Sequence, residues 1–528
     1  MPLIKKNLND KVLIFIILIF SLCFNQYFGN RGVFPADSFA FFDSGYRILN
    51  GEFPFKDYWV VSGVFIDYFQ AFLFFLFGYN WQVYVLQASL VNALFSVLTF
   101  FILKKFKLDS LSSFFYCICL SILAYPTSGT PFVDHHSAFL SFIAVYVFIL
   151  AIKENKKIYW LLIPFIFGFA FLSKQVPTAY IIASTTVVFV YNSFFSQTKE
   201  NIRNIFLIIS SFLLFILILL LTFKLSGITL TSFIQQYLIY PTLIGEERIG
   251  DYEINFNNFM IKYKLIHVVF FLLIITSILN IRSKKNYFKS VDFSIFLVIF
   301  FTVISLIVHQ ILTKNQNFIF FLIPILSALA HIEINKIRVN FKRYFVIFLI
   351  IFCTFASYKY NKRFNIDRKF HELVYVDFKN AINAKNIDNK FYGLSWITPS
   401  IKNKEQNIKE VENIKEIKNF LREQNDNNML ISNYSFFSIL LNKSINAPNR
   451  WYPTDGTAFP IKNSKYFNNY KKFFINLLKK NNIKTIYTSE EIEEKIIFDY
   501  LSEECFEKKK IKSFFISYEL NKNCKDLK

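Results

Sequence analysis

The sequence predicts a polytopic α-helical membrane protein of about eleven spans, followed by a C-terminal soluble α/β domain. Three observations carry that prediction. Of the 528 residues, 54% are hydrophobic and 20% aromatic, a composition of the multi-span membrane class. The apolar residues gather in runs separated by short basic clusters. After about residue 358 the chain turns polar and charged.

A spanning helix needs roughly 20 apolar residues. Runs of that kind, some of them short, lie at 12–28, 81–103, 110–126, 136–152, 158–173, 176–192, 205–223, 265–281, 291–312, 317–335 and 343–357. The first follows Lys5, Lys6 and Lys11 and has the look of a signal peptide. No small-residue cleavage site follows it, so it reads as a retained first helix. The run Val64–Phe77 contains Asp67 and Gln70 and is about 14 residues long. It reads as an interfacial helix rather than a span.

The net charge of +22 does not point to nucleic acid. The cations lie between the runs: Lys104, Lys105 and Lys107; Lys153 to Lys157; Lys199 to Arg203; Arg282 to Lys289; Lys336 to Arg343. With the N-terminal lysines they make six clusters, all on one side if the N-terminus is cytoplasmic. The opposite loops hold the acids, among them Asp37, Asp43, Glu52, Asp57, Asp134, Glu246 and Glu247. An odd span count then places the tail outside, in the periplasm of a bacterium with an inner membrane.

The expected domains are a transmembrane part at 1–358, with an outer loop and interfacial helices at 29–80, and a periplasmic part at 359–528. From Lys359 onward there are 31 Lys and Arg against 21 Asp and Glu. Strand patterns at Phe391–Ile397, from Met429, at Ile483–Thr488 and at Ser513–Leu520 alternate with helical patterns. The helices are expected at Asn407–Arg422, Tyr466–Lys480 and Glu490–Leu501, an α/β rhythm. Of six cysteines, Cys505 and Cys524 lie in this tail and would form a disulfide in an oxidising compartment. The 70 phenylalanines read mainly as the filling of lipid-facing positions.

Three polar features face the outer side in this topology. The first is the loop carrying Asp37, Asp43 and Asp57, with Asn50-Gly51-Glu52-Phe53-Pro54 at its turn. The second is Gly129-Thr130-Pro131-Phe132-Val133-Asp134-His135-His136, and the third Leu172-Ser173-Lys174-Gln175. Charges beside hydrocarbon usually serve a function. Carboxylates able to take a proton, with a lysine able to balance a phosphate, suit chemistry on a lipid phosphate. Each residue also has a structural reading. Asp37 can cap the helix after it, Asp57 can fix the turn after Pro54, Asp134 can cap its own helix, and Lys174 can snorkel. Arg248 and Lys314 are further phosphate candidates, or ordinary juxtamembrane charges. Arg450-Trp451-Tyr452 can stack on a sugar or pack the tail onto the membrane part. His135 and His136, being adjacent on a helix, point apart and make a poor metal pair, so no metal ligands are assigned.

The run Asp37…Gly45-Tyr46-Arg47-Ile48-Leu49-Asn50-Gly51-Glu52-Phe53-Pro54-Phe55-Lys56-Asp57 resembles the first outer loop of the GT-C glycosyltransferases, which include protein O-mannosyltransferases and aminoarabinose transferases. Phe72 to Asn80, ending Leu-Phe-Gly-Tyr-Asn, is similar to that family's juxtamembrane helix. Leu172-Ser173-Lys174-Gln175 resembles its Leu-Thr-Lys motif, and Asn317 to Pro324 its late-span segment ending in proline. The resemblance covers roughly residues 10–360. It implies a polyprenyl-phosphate sugar donor, an outer-leaflet site and inversion at the anomeric carbon. It places the general base at Asp37 and the second-loop acid at Asp134. Many family members have a second acid beside the first; here Ser38 stands there, which leaves Asp43 or Asp57 as substitutes.

The expected function is therefore transfer of a hexosyl or pentosyl group from that donor to a lipid, glycan or protein acceptor. Asp37, Asp134 and Asp57 are the catalytic candidates. Lys174, Arg248 and Lys314 are the donor-phosphate candidates. No cofactor is expected, and dependence on a divalent cation is left open. A transporter or flippase of lipid-linked sugars is the alternative, disfavoured by the absence of a visible repeat. A non-catalytic scaffold is a third reading.

Overall fold

In the computed structural model of the protein, residues 9–124, 129–195, 198–250, 255–283, 287–313, 318–424, 427–489, 491–512, 515–521 and 524–527 are described. Lys314 and Asn317 lie outside the described residues.

Helices stand at all eleven expected positions: Asp10–Gly29, Trp81–Lys105, Ser110–Leu123, Val133–Glu154, Lys157–Ser173, Gln175–Ser193, Thr198–Ser226, Lys264–Ser283, Val291–Leu312, Leu322–Asn335 and Lys342–Tyr360. Polar caps set several starts. The Asp109 carboxylate accepts from the Ser112 amide, and the Ser290 hydroxyl from the Phe293 amide. Among the described residues, six helical stretches are long and apolar enough to cross a membrane. They begin at Asp10, Trp81, Val133, Thr198, Val291 and Lys342. Ser110–Leu123 and Leu322–Asn335 have 14 residues each. At 1.5 Å per residue such a helix reaches about 21 Å, short of a hydrocarbon core of about 30 Å. Val64–Phe77 is a helix of the same length, with Asp67 and Gln70 buried.

The chain forms two compact units, neither contiguous. The first comprises Met1–Gly29, Ala88–Ile218 and Asp251–Phe370. Small polar side chains tie its helices together: the Ser21 and Ser121 hydroxyls lie 2.6 Å apart, Ser121 donates to Ser96 at 3.0 Å, and Asn25 to Ser89 at 3.1 Å. Where hydrocarbon surrounds a helix, hydrogen bonds and close packing hold helices together. Phe95, Phe139, Phe142 and Phe321 form an aromatic core beside them.

The second unit comprises Asn30–Gln87, Leu219–Gly250 and His371–Lys528. It thus takes in the first loop and a middle segment, and is larger than a tail beginning at 359. Among its described residues six strands are present: β1 Ile382–Asn383, β2 Ser395–Trp396, β3 Asn428–Ile431, β4 Thr485–Ser489, β5 Phe506–Lys512 and β6 Phe515–Leu520. The last four form a sheet in the order β3-β4-β6-β5, with β3 and β4 parallel and the other pairs antiparallel. The helices Lys404–Glu423 and Phe467–Lys480 flank these strands in sequence. The core holds Met429, Ile431, Ile486, Tyr470, Phe474 and Tyr518, together with Trp59 of the loop.

Three local expectations change. Phe391–Ile397 yields only the two-residue β2, because the backbone spends Asn389–Phe391 on a tight turn. Among the described residues of the expected helix Glu490–Leu501, the helix is confined to Lys495–Phe498. β5, with the sequence FEKKKIK, went unforeseen. It lies at the sheet edge, where lysines guard against pairing with another chain. Cys505 and Cys524 are joined in a disulfide.

Candidate active site

In the second unit, the loop after residue 30 is anchored at both ends. At its start, the amides of Gly32 and Val33 donate to Ser395 and Ile397 carbonyls at 3.0 Å. Proline at the first position starts the helical turn Pro35–Ser38. Asp37 sits in that turn, half-exposed. The next residues anchor it: the Phe39 ring is buried against Trp81, Trp396 and Phe436.

The helix Phe42–Leu49 buries both Asp43 and Arg47, one turn apart. The Arg47 Nε donates to Glu52 at 2.7 Å, and its guanidinium lies 4.3 Å over the Tyr58 ring. Asp43 is held by the Ser438 hydroxyl and the Ile439 backbone. Burial pushes its carboxyl up to about 7, against the opposing pull of Arg47. Asp57 is occupied. Its Oδ2 accepts from the Phe53 amide at 2.8 Å, closing the turn around Pro54, and its other oxygen pairs with Lys480.

Asp67 is fully buried and meets Arg450, whose Nη1 reaches both carboxylate oxygens at 2.9 and 3.0 Å. Ser44 donates to the same carboxylate at 2.5 Å. Arg450 also bonds the Ser62 carbonyl and lies 4.6 Å from the Phe41 ring centre. Burial raises the Asp67 carboxyl, with Arg450 opposing. Arg450 therefore ties the tail to the helix Val64–Phe77 through Asp67. Arg248 is half-buried in the helix Tyr240–Gly250.

In the first unit, Asp134 occupies the first turn of Val133–Glu154 and is buried. Lys174 lies at an extended residue between the helices Lys157–Ser173 and Gln175–Ser193. That break turns its side chain to Asp134, which accepts from its Nζ at 2.8 and 2.9 Å. His309 donates from Nε2 to the same carboxylate at 3.0 Å. The adjacent histidines diverge: His135 packs on Phe318 with ring centres 4.5 Å apart, and His136 Nδ1 lies 3.1 Å from the Phe132 carbonyl.

The structure thus brings Asp134 and Lys174 together, gives Asp57 a structural partner, and leaves Asp37 half-exposed. Sequence reasoning missed His309, and it missed Asp67 and Arg450 as a pair. A histidine within an apolar run and an aspartate in an apolar helix were the available signals.

Residues 62–223 match the family model described as dolichyl-phosphate-mannose-protein mannosyltransferase, a GT-C family. The stretch contains Asp134 and Lys174 and begins after Asp37, Asp43 and Asp57. The match supports the GT-C resemblance read from the motifs. No curated protein matches the chain.

Proposed function

We propose that this protein moves a sugar from a polyprenyl-phosphate carrier to a lipid, glycan or protein acceptor on the periplasmic face of a bacterial inner membrane, with inversion at the anomeric carbon. The match of residues 62–223 to a mannosyltransferase family is the observation that carries this reading. Asp37 takes the proton of the acceptor hydroxyl. The freed oxygen attacks the anomeric carbon, and the bond to the carrier phosphate breaks, its electrons leaving on the phosphate. One displacement needs one base and a stabilised leaving group, not the paired carboxylates of a glycosidase.

Asp134, itself bonded by His309, holds Lys174 in place, so that its charge lies at a fixed point for the donor phosphate. Arg248 and Lys314 are the further phosphate contacts in this scheme. Asp57 supports the loop through its turn. All eleven helices span in this reading, the short ones where the bilayer thins around them. Six basic clusters, which share one side if the N-terminus is cytoplasmic, support an outward first loop. The Cys505–Cys524 disulfide supports the same side for the tail, since such bonds persist in oxidising compartments. No redox or group-carrying cofactor takes part, and a divalent cation would serve only as a phosphate counterion.

Mass spectrometry of envelope glycans from cells with and without the protein tests the reading. One sugar should vanish from one acceptor class when the protein is absent. Unchanged glycans of every class would overturn it.

A further inference from the structure

The turn that carries Asp37 is held on both sides by the tail, within the second unit. Before the turn, the chain pairs with β2. The Ser395 amide donates to the Asn30 carbonyl at 2.9 Å, and the Gly32 and Val33 amides donate to the Ser395 and Ile397 carbonyls at 3.0 Å. Val33 is buried, and a Cβ on Gly32 would collide with Leu373 Cδ1. After the turn, the buried Phe39 ring lies 4.8 Å from Phe436, 5.9 Å from Trp396 and 6.0 Å from Phe391, centre to centre. Only Phe34 to Ser38 lie between these two anchors. The Ser38 hydroxyl closes that interval by accepting from the Phe34 amide at 3.0 Å.

Trp396 belongs to both anchors. Its chain neighbours make the main-chain bonds, and its ring stacks on Phe39 with 20° between the planes. Trp396 is itself fixed. It is buried, its Nε1 donates to Glu410 Oε1 at 3.1 Å, and its carbonyl accepts from Asn407 Nδ2 at 2.9 Å. Asn407 and Glu410 both belong to the helix Lys404–Glu423. The Thr398 hydroxyl donates to the other Glu410 oxygen at 3.0 Å. Filling space against Phe39 needs only an apolar side chain. The indole bond to Glu410 does more, because it fixes the orientation of the ring as well as its place.

We propose that Trp396, oriented by Glu410, is a positioning residue for Asp37, so that the tail sets where the base carboxylate stands. The inference rests on the transfer reading for the duty of Asp37; the anchoring of the turn does not. A general base acts within hydrogen-bond reach of its proton, and a displacement of about 1 Å can cost about 10²-fold in rate. Trp396 touches no substrate in this scheme and acts through Phe39 and the backbone of the turn.

The test measures transfer of radiolabelled sugar by the full chain in lipid nanodiscs, per folded molecule. Trp396→Leu should lower kcat about 10²-fold and leave the donor KM within about twofold. Trp396→Phe, which returns a ring to Phe39, should recover most of the loss. In the Asp37→Asn chain, Trp396→Leu should add no further loss, since the base it positions is gone. Losses that multiply in the double variant, or full transfer by Trp396→Leu, overturn the proposal. Phe436→Leu, which removes another ring from Phe39, takes the same place in the scheme if Trp396→Leu does not fold. A second readout needs no transfer. A nitroxide label on Asp37→Cys, with Cys23→Ser removing the exposed thiol, should be ordered and become mobile when Trp396→Leu is added. Identical spectra with and without Trp396→Leu overturn the proposal. A chain whose label responds in this way but which transfers no sugar overturns the transfer reading alone.

Discussion

Two carboxylates show how similar residues acquire different duties. Asp43 is buried with its carboxyl raised to about 7, facing Arg47, Glu52, Ser438 and the Ile439 backbone. An unfolded chain releases that proton near the ordinary value of 3.8. Between these limits the folded state holds a proton that the unfolded state has lost. Stability from neutral Asp43 is therefore full below about pH 4, falls as pH rises, and levels off above about pH 7. A difference of that size corresponds to roughly 4 kcal/mol. Asp43→Asn should flatten the slope of denaturation free energy between these pH values; an unchanged slope would place the titrating group elsewhere. Asp134 is instead paired, with Lys174 and His309. Lys174→Met strands its carboxylate with His309 alone and should cost about 3–5 kcal/mol in a denaturation experiment. Adding Asp134→Asn should recover most of that loss, and additive losses would show that the two side chains act apart.

Among the elements, the helix Val64–Phe77 explains most about the second unit. Its start is Gly63, with φ of 81°. A Cβ there would come within 2.5 Å of Phe41 Cε1 and 3.0 Å of Arg450 Nη1. Gly63→Ala should therefore lower stability by roughly 1–3 kcal/mol, read as a lower melting temperature. A neutral result would mean that the loop and Arg450 yield freely. The sequence already displayed this helix as an apolar run too polar to span. Its partner was not legible, because Arg450 lies 383 residues further on and nothing local couples the two. The same limit hid His309 from Asp134. By contrast, Cys505 and Cys524 lie 19 residues apart in one polar tail, and their pairing could be anticipated. Edge strand β5 escaped because its lysines obey solvent, not a core.

For the molecule as a whole, what reads from sequence is what repeats along it. Apolar runs recur, basic clusters punctuate them, and the helices appear where the runs are. Six of those helices meet the length and apolarity of a span. Which segments fold together was less visible: the first loop belongs to one compact unit with the tail, through contacts such as Trp59 on Tyr470. That partition follows from buried aromatic faces, which a one-dimensional pattern does not pair. The family match covers residues 62–223, while the proposed base lies before them. The most direct measurement is therefore transfer of radiolabelled sugar from a polyprenyl-phosphate hexose to envelope acceptors by the purified chain and by Asp37→Asn. The account predicts transfer by the unsubstituted chain and a loss of about 10²–10⁴-fold in the variant, with donor binding retained. Equal transfer by both would contradict it.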